Sequence, residues 1–216
     1  VGALAHSGKW RGYLAPDMTR PQVIAGIDRI TRQLGGVTKT WRFDRMATVC
    51  HPATGHVTAE FAAVAKHYGV SVAVCPPRRG NRKGVVEKSN HTAAQRWWRT
   101  LPDEATADQA QTSVDTFCRT RSDFRLRPTR DGRASVVTIA KREPLRRAPA
   151  APYPAVLTET RQVCRQALVS WKGNHYSVPP EVAMSEVTVT ETLGDGHIDI
   201  ATTSGIVIAR HPMAPR

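Results

Sequence analysis

Two acidic residues stand where side chains could do metal chemistry. Asp44 follows Val37 to Phe43, which reads as a buried strand, and Glu87 follows a basic stretch, Arg78-Arg-Gly-Asn-Arg-Lys83. Carboxylate oxygens are hard ligands suited to Mg2+ or Mn2+, and a pair of such ions clamps the attacking and leaving oxygens of a phosphodiester during cleavage. The 43 residues separating the two acids leave room for one helix, one strand and a turn, enough to return the chain to the same sheet edge. Spacing alone is a weak signal. A strand-end aspartate also serves as an ordinary turn residue, and Glu87 has Lys83 four positions before it and His91 four after. That is the pattern of a helix-surface ion pair worth about 0.2–0.5 kcal/mol.

Other chemistries are less well supplied. Cys50, Cys75, Cys118 and Cys164 are scattered and form no C-x-x-C pair, which argues against a disulfide framework and against structural zinc. The eight histidines contain no H-x-x-x-H spacing, which disfavours zinc catalysis. His175, Tyr176 and His211 lie in strand-like segments and read as structural. Of the adjacent Trp97 and Trp98, one could stack on a base, but neighbours on a helix cannot share a face, so at least one is expected in the core.

The formal net charge of +13 is concentrated. From Arg78 to Arg99 seven basic residues face one acid, and from Arg119 to Arg147 ten face three, so these two stretches account for the whole excess. Charge placed this way fits a polyanion, because phosphate contacts release counterions and dominate affinity. A solvated basic surface kept for solubility is the plainer alternative. No apolar run approaches the length of a bilayer, and the opening Val1 to Ala5 is too short for a signal peptide, so a protein of the cytoplasm is expected, with no membrane partner.

The elements that would position these residues can be read from caps and periodicity. Residues 1–15 suggest a hairpin turning at His6–Lys9. Thr19 with Pro21 starts a helix that carries Val23, Ile24, Ile27, Ile30 and Leu34 to a stop at Gly35-Gly36. A strand follows to Phe43, with Asp44 at its C-terminal end, the end at which open α/β sheets place ligands. Thr58 caps a second helix ending at Gly69, and Val70–Val74 is a strand stopped by Pro76-Pro77. Beyond the basic loop, one helix is expected from Gly84 to about Thr100 and another over 104–121. Residues 123–154, rich in Arg and Pro, read as an irregular basic connector. From about residue 155, five strands, 163–170, 174–178, 186–192, 197–202 and 206–211, read as a small β-barrel.

Three runs in this frame, Phe43-Asp-Arg-Met-Ala-Thr-Val49, Phe61-Ala-Ala-Val-Ala-Lys-His-Tyr-Gly69 and Cys75-Pro-Pro-Arg-Arg-Gly-Asn-Arg-Lys-Gly-Val-Val-Glu87, resemble the IstA-type transposases of bacterial insertion sequences. Val169-Ser-Trp-Lys-Gly-Asn-His-Tyr-Ser-Val-Pro179 and Gly205-Ile-Val-Ile-Ala-Arg-His211 look like the Mu-transposase-type barrel of such proteins. The resemblance implies an RNase H-like integrase core over 1–122, the connector over 123–154 and an all-β barrel over 155–216. It assigns Asp44 to the family's second catalytic aspartate and Glu87 to its catalytic glutamate, both holding Mg2+ or Mn2+. No residue matches the first aspartate, which would fall before Val1, so the chain is expected to begin inside the fold, to hold metal weakly and to cut DNA poorly or not at all.

The reaction implied is metal-dependent cleavage at a transposon end, followed by attack of the freed 3′-hydroxyl on target DNA. Arg45 stands where the family usually has Asn, and could either compete for the Asp44 carboxylate or hold a phosphate. Phosphate contacts are expected from Arg45, Arg78, Arg79, Arg82, Lys83, Lys88, Arg125, Arg127, Arg146 and Arg147. The partners implied are double-stranded DNA, further copies of the chain on that DNA and an ATPase, in the bacterial cytoplasm at the nucleoid. A non-catalytic nucleic-acid-binding or assembly module is the alternative from another class, and a small barrel with basic flanks also suits RNA.

Overall fold

The computed structural model describes residues 1–76 and 84–214, with the side chains of residues 84–86 left aside. The chain divides into two compact units, Val1–Tyr153 and Pro154–Arg216.

The first unit is mixed α/β. Strands β1 (Gly2–Ala3) and β2 (Trp10–Arg11) pair antiparallel as a short hairpin. Helix α1 (Arg20–Leu34) starts after Thr19, with Pro21 in its first turn, where the missing N–H costs nothing. It ends at Gly35 in the left-handed conformation, φ 105°. Gly36 is needed for a different reason: a Cβ there would lie 2.4 Å from the carbonyl oxygen of Arg146. That close approach permits the backbone bridge between Val37 and Arg146, with N–O distances of 2.8 and 2.9 Å.

Strand β3 (Thr40–Phe43), helix α2 (Ala59–Tyr68) and strand β4 (Ser71–Val74) form a parallel β-α-β unit. The Thr58 hydroxyl accepts from Phe61 N at 3.3 Å, and Gly69 closes α2 with φ 64°. Phe61 and Val64 are wholly buried, and Val49, Cys50 and Phe61 form a core against Phe43, Val72 and Val74. Helix α3 (Gly84–Thr92) continues through a wide π turn, Ala93–Trp97, and a 3-10 turn, Trp98–Thr100. Helix α4 (Ala107–Phe117) opens on a capping box between Thr106 and Gln109 and also runs into a π turn, Cys118–Ser122. Each of the two long helices expected from the sequence therefore widens at its C-terminal end. Trp97 is buried, its Nε1 donating to Ser113 Oγ at 3.1 Å, whereas Trp98 is 59% exposed.

The segment expected as an irregular connector carries structure. Strands β5 (Leu126–Thr129) and β6 (Gly132–Ser135) make a hairpin, and α5 (Val136–Ala140) follows, capped by Ser135. Val136, Ile139 and Ala140 are buried, and Asp123 lies in a buried ion pair with Arg11. Pro144, Pro149 and Pro152 all fall after α5, whereas Pro128 is accommodated within β5 of the two-stranded hairpin.

The second unit is all-β. Six strands form, β7 (Val156–Gln162), β8 (Leu168–Trp171), β9 (Asn174–Ser177), β10 (Glu186–Thr192), β11 (His197–Thr202) and β12 (Val207–Pro212). The five-strand expectation missed β7. Its residues Thr158 to Gln162 are polar and exposed, and its place is set by full-length pairing with β10. The ladders give a four-stranded antiparallel sheet, β12-β11-β10-β7, and a separate hairpin, β8-β9, rather than one closed barrel. Both surround a core of Val163, Val169, Trp171, Val187, Val189, Ile198 and Ile200. The alternation of Val187, Val189 and Glu191 as buried positions on β10 follows from the period-2 geometry of a strand. Buried Glu191 accepts from Trp171 Nε1 at 2.9 Å and from Lys172 Nζ at 2.7 Å, so its charge is paired.

Candidate nucleic-acid interface

The parallel pair β3–β4 runs in register, Thr40 opposite Ser71 through Phe43 opposite Val74, and Cys75 N donates to Phe43 O at 2.9 Å. Both C-terminal ends therefore share one edge. Asp44 leaves β3 at that edge on an exposed position, within a turn closed by Met46 N to Asp44 O at 2.8 Å. Later in the chain, α3 carries exposed Glu87 in its first turns. Arg78, Arg79, Arg82 and Lys83 lie outside the described residues. Topology thus sets Asp44 and the C-terminal end of β4 at the same end of the β-α-β unit. Among the described residues no group of three or more His, Cys, Asp or Glu is placed to hold a metal ion.

The arginines singled out by sequence divide into two kinds. Arg45 Nη1 donates to the carbonyls of Pro52 and Ala53, both at 3.0 Å, which fastens the loop after β3. Arg146 Nη2 donates to Gly69 O at 2.7 Å and Thr38 O at 3.3 Å, capping the C-terminal end of α2. These guanidiniums hold backbone together, a use that a reading by charge alone does not distinguish from phosphate binding. Lys88 and Arg147 are exposed.

Arg125 and Arg127 belong to a second basic surface. An open groove of about 570 Å3 is lined by Arg96, Phe117, Arg121, Ser122, Phe124 and Arg125. Burial, together with the positive charges of Arg127 and Arg96, pushes the Arg125 guanidinium below its usual range. Its Nε is buried without a hydrogen-bond partner among the described residues. Arg127 Nη1 donates to His6 O at 3.0 Å, and Phe124 is 65% exposed. Arg96, Arg121 and Phe124 were counted in the sequence only as charge or passed over. The signal that could have found them is the interleaving of Arg119, Arg121, Phe124, Arg125 and Arg127 over nine residues.

Beneath this surface lies the Arg11–Asp123 pair, bidentate at 2.9 and 2.7 Å, with both residues buried. Burial alone would lower the Arg11 pKa, but the hydrogen bonds to Asp123 and its charge outweigh it and raise the value. The adjacent Cys118 thiol is pushed up to about 12, chiefly by burial, and is therefore an inert core group rather than a nucleophile. In the second unit, His211 Nε2 lies 2.6 Å from Ser177 O and Tyr176 Oη accepts from Ala214 N at 3.2 Å, internal contacts that leave both residues structural.

Comparison with known proteins finds likenesses to transposases. Residues 148–215 match the family described as Mu transposase, C-terminal domain. The chain is 26% identical over 159 residues to a transposase for insertion sequences IS1326/IS1353 from Pseudomonas aeruginosa, covering 72% of this chain and 31% of that protein. A transposase from Aminobacter aminovorans is 26% identical over 184 residues, covering 83% of this chain and 35% of its own length. Both likenesses are longer than the second unit and extend well into the first. The chain spans about a third of the length of these relatives. A simian T-cell lymphotropic virus intasome in complex with PP2A regulatory subunit B56 gamma overlays at a TM-score of 0.43 and 12% identity, covering 94% of this chain and 67% of that one. Among the described residues no helix is long and apolar enough to cross a membrane.

Proposed function

From a chain that is similar to insertion-sequence transposases and carries a Mu transposase-type C-terminal domain, we infer the DNA-handling part of a transposase, its first unit the rear of an RNase H-like core. The observation that supports this reading is the parallel β3–β4 pair, which sets Asp44 and the C-terminal end of β4, thirteen positions before Glu87 of α3, at one sheet edge. Both acids are exposed and both present hard oxygen ligands. Asp44 and Glu87 would hold Mg2+ or Mn2+, and such an ion, when bound, supplies Lewis-acid stabilisation of the phosphodiester oxygens during strand cleavage and transfer. The basic residues on either side of this edge would hold double-stranded DNA through its phosphates. Assembly of several copies on DNA and an ATPase partner belong to the same proposal.

Two carboxylates make a weak site. We expect Mn2+ to bind weakly to the 216-residue chain, as read by electron paramagnetic resonance, and expect Asp44→Asn or Glu87→Gln to remove most of that binding. DNA should be retained at low salt with little Mg2+-dependent nicking of supercoiled plasmid. Vigorous nicking by the chain alone, or Mn2+ binding indifferent to both substitutions, would overturn the assignment. The groove lined by Arg96, Arg121 and Arg125 favours a second reading, a non-catalytic DNA-binding module. That reading expects DNA binding with no Mn2+ uptake at all.

A further inference from the structure

The groove described above is assembled from both π turns of the first unit. Arg96 lies in the turn after α3, where Trp98 N bonds to Ala93 O, and Arg121 and Ser122 lie in the turn after α4, where Asp123 N bonds to Cys118 O at 2.9 Å. A π turn is a rare widening of a helix that is frequent at functional sites. Two of them lining one groove is a second observation, independent of the charge.

The charge itself is uncompensated. No ion pair involves Arg96, Arg121 or Arg125 among the described residues, and the acid nearest in sequence to Arg121 and Arg125, Asp123, is turned inward and held by Arg11. Guanidiniums crowded together with no carboxylate repel one another, which is tolerated where an anion completes the set. The groove is not purely polar, because Phe117 lines it and Phe124 stands at it with most of its ring in solvent. An exposed ring among phosphate-binding side chains offers nothing to a duplex, whose base faces are already stacked, but it fits an unpaired base.

We propose that this groove receives an unpaired segment of DNA, its phosphates on Arg96, Arg121 and Arg125 and one base stacked on Phe124. The proposal rests on the DNA-handling reading and adds to it a site for single-stranded ends, lined by residues other than Asp44 and Glu87.

Fluorescence anisotropy with the full chain tests it, using labelled oligothymidylate of about ten nucleotides and a duplex of equal length across a salt series. Phe124→Ala is expected to weaken oligothymidylate binding roughly 5- to 150-fold while leaving duplex binding unchanged, and Phe124→Trp to restore it. The double substitution Arg96→Gln with Arg121→Gln should flatten the single-strand salt dependence by about 1.4 in logarithmic slope. All three positions are exposed, so unchanged melting temperatures should show that the variants fold. Equal losses on duplex and single strand, unchanged oligothymidylate binding in Phe124→Ala, or tighter binding of oligouridylate would each overturn the assignment. A chain that binds no DNA in any form would instead remove the parent reading, whereas duplex binding indifferent to the groove substitutions would remove only this site.

Discussion

At the scale of single residues, the most consequential contact of the first unit is the Arg11–Asp123 pair. Both side chains are nearly inaccessible, and Arg11 Nη1 also donates to Trp10 O at 2.7 Å. Breaking a buried pair by removing one charge is far costlier than the pair's net contribution, because the remaining charge is stranded. Asp123→Asn should therefore lower unfolding stability by about 3–5 kcal/mol, measured by urea denaturation. A loss below 1 kcal/mol would mean that water reaches the guanidinium. Neither residue announces this role in the sequence: Arg11 sits in a glycine-rich opening, and Asp123 lies in a basic run where it looks like a solubilising acid. Their partnership spans 112 residues, and a pairing that distant leaves no local pattern.

At the scale of elements, the parts most legible in the sequence are those bounded by caps. Thr58 and Gly69 delimit α2, and Gly35 ends α1, because hydroxyl caps and left-handed glycines are chemical requirements of helix ends. The same logic predicts that Thr106→Ala costs about 1 kcal/mol by removing the acceptor for Gln109 N at 3.2 Å, with Gln109→Ala removing the reciprocal bond to Thr106 N. Thermal denaturation of the two single variants and the double variant would check it, and strictly additive losses would show that the box does not act as a unit. Strand β7 was not legible, since polar residues on both faces erase the alternation by which a half-buried strand is known. Asp44 could be placed at a strand end from Val37 to Phe43, although that strand alternates between exposed Thr40 and Arg42 and half-buried Trp41 and Phe43 rather than being buried as expected. The use of Arg45 and Arg146 as backbone clamps could not be placed, because their carbonyl partners lie at a distance in the chain.

For the whole molecule, a net charge of +13 means that the folded chain works against its own repulsion. Melting temperature should rise with added sodium chloride from low ionic strength as this repulsion is screened. Short duplex DNA should raise it further at micromolar concentration, as expected of a ligand that binds the folded state. Salt alone matching the effect of DNA would indicate a generic polycation. The two units need not melt together, and a calorimetric trace with two transitions is the outcome consistent with their separate cores.

Each wide turn holds one residue more than an α-helix needs over the same span, so each is equivalent to a single-codon insertion tolerated near the end of a helix. Related chains shorter by one residue at either place would carry an uninterrupted helix there. The residues beyond it would be rotated by about 100°, swinging Trp97 or Ser122 out of position. Length variation at these two points would therefore separate relatives that share the groove from those that do not.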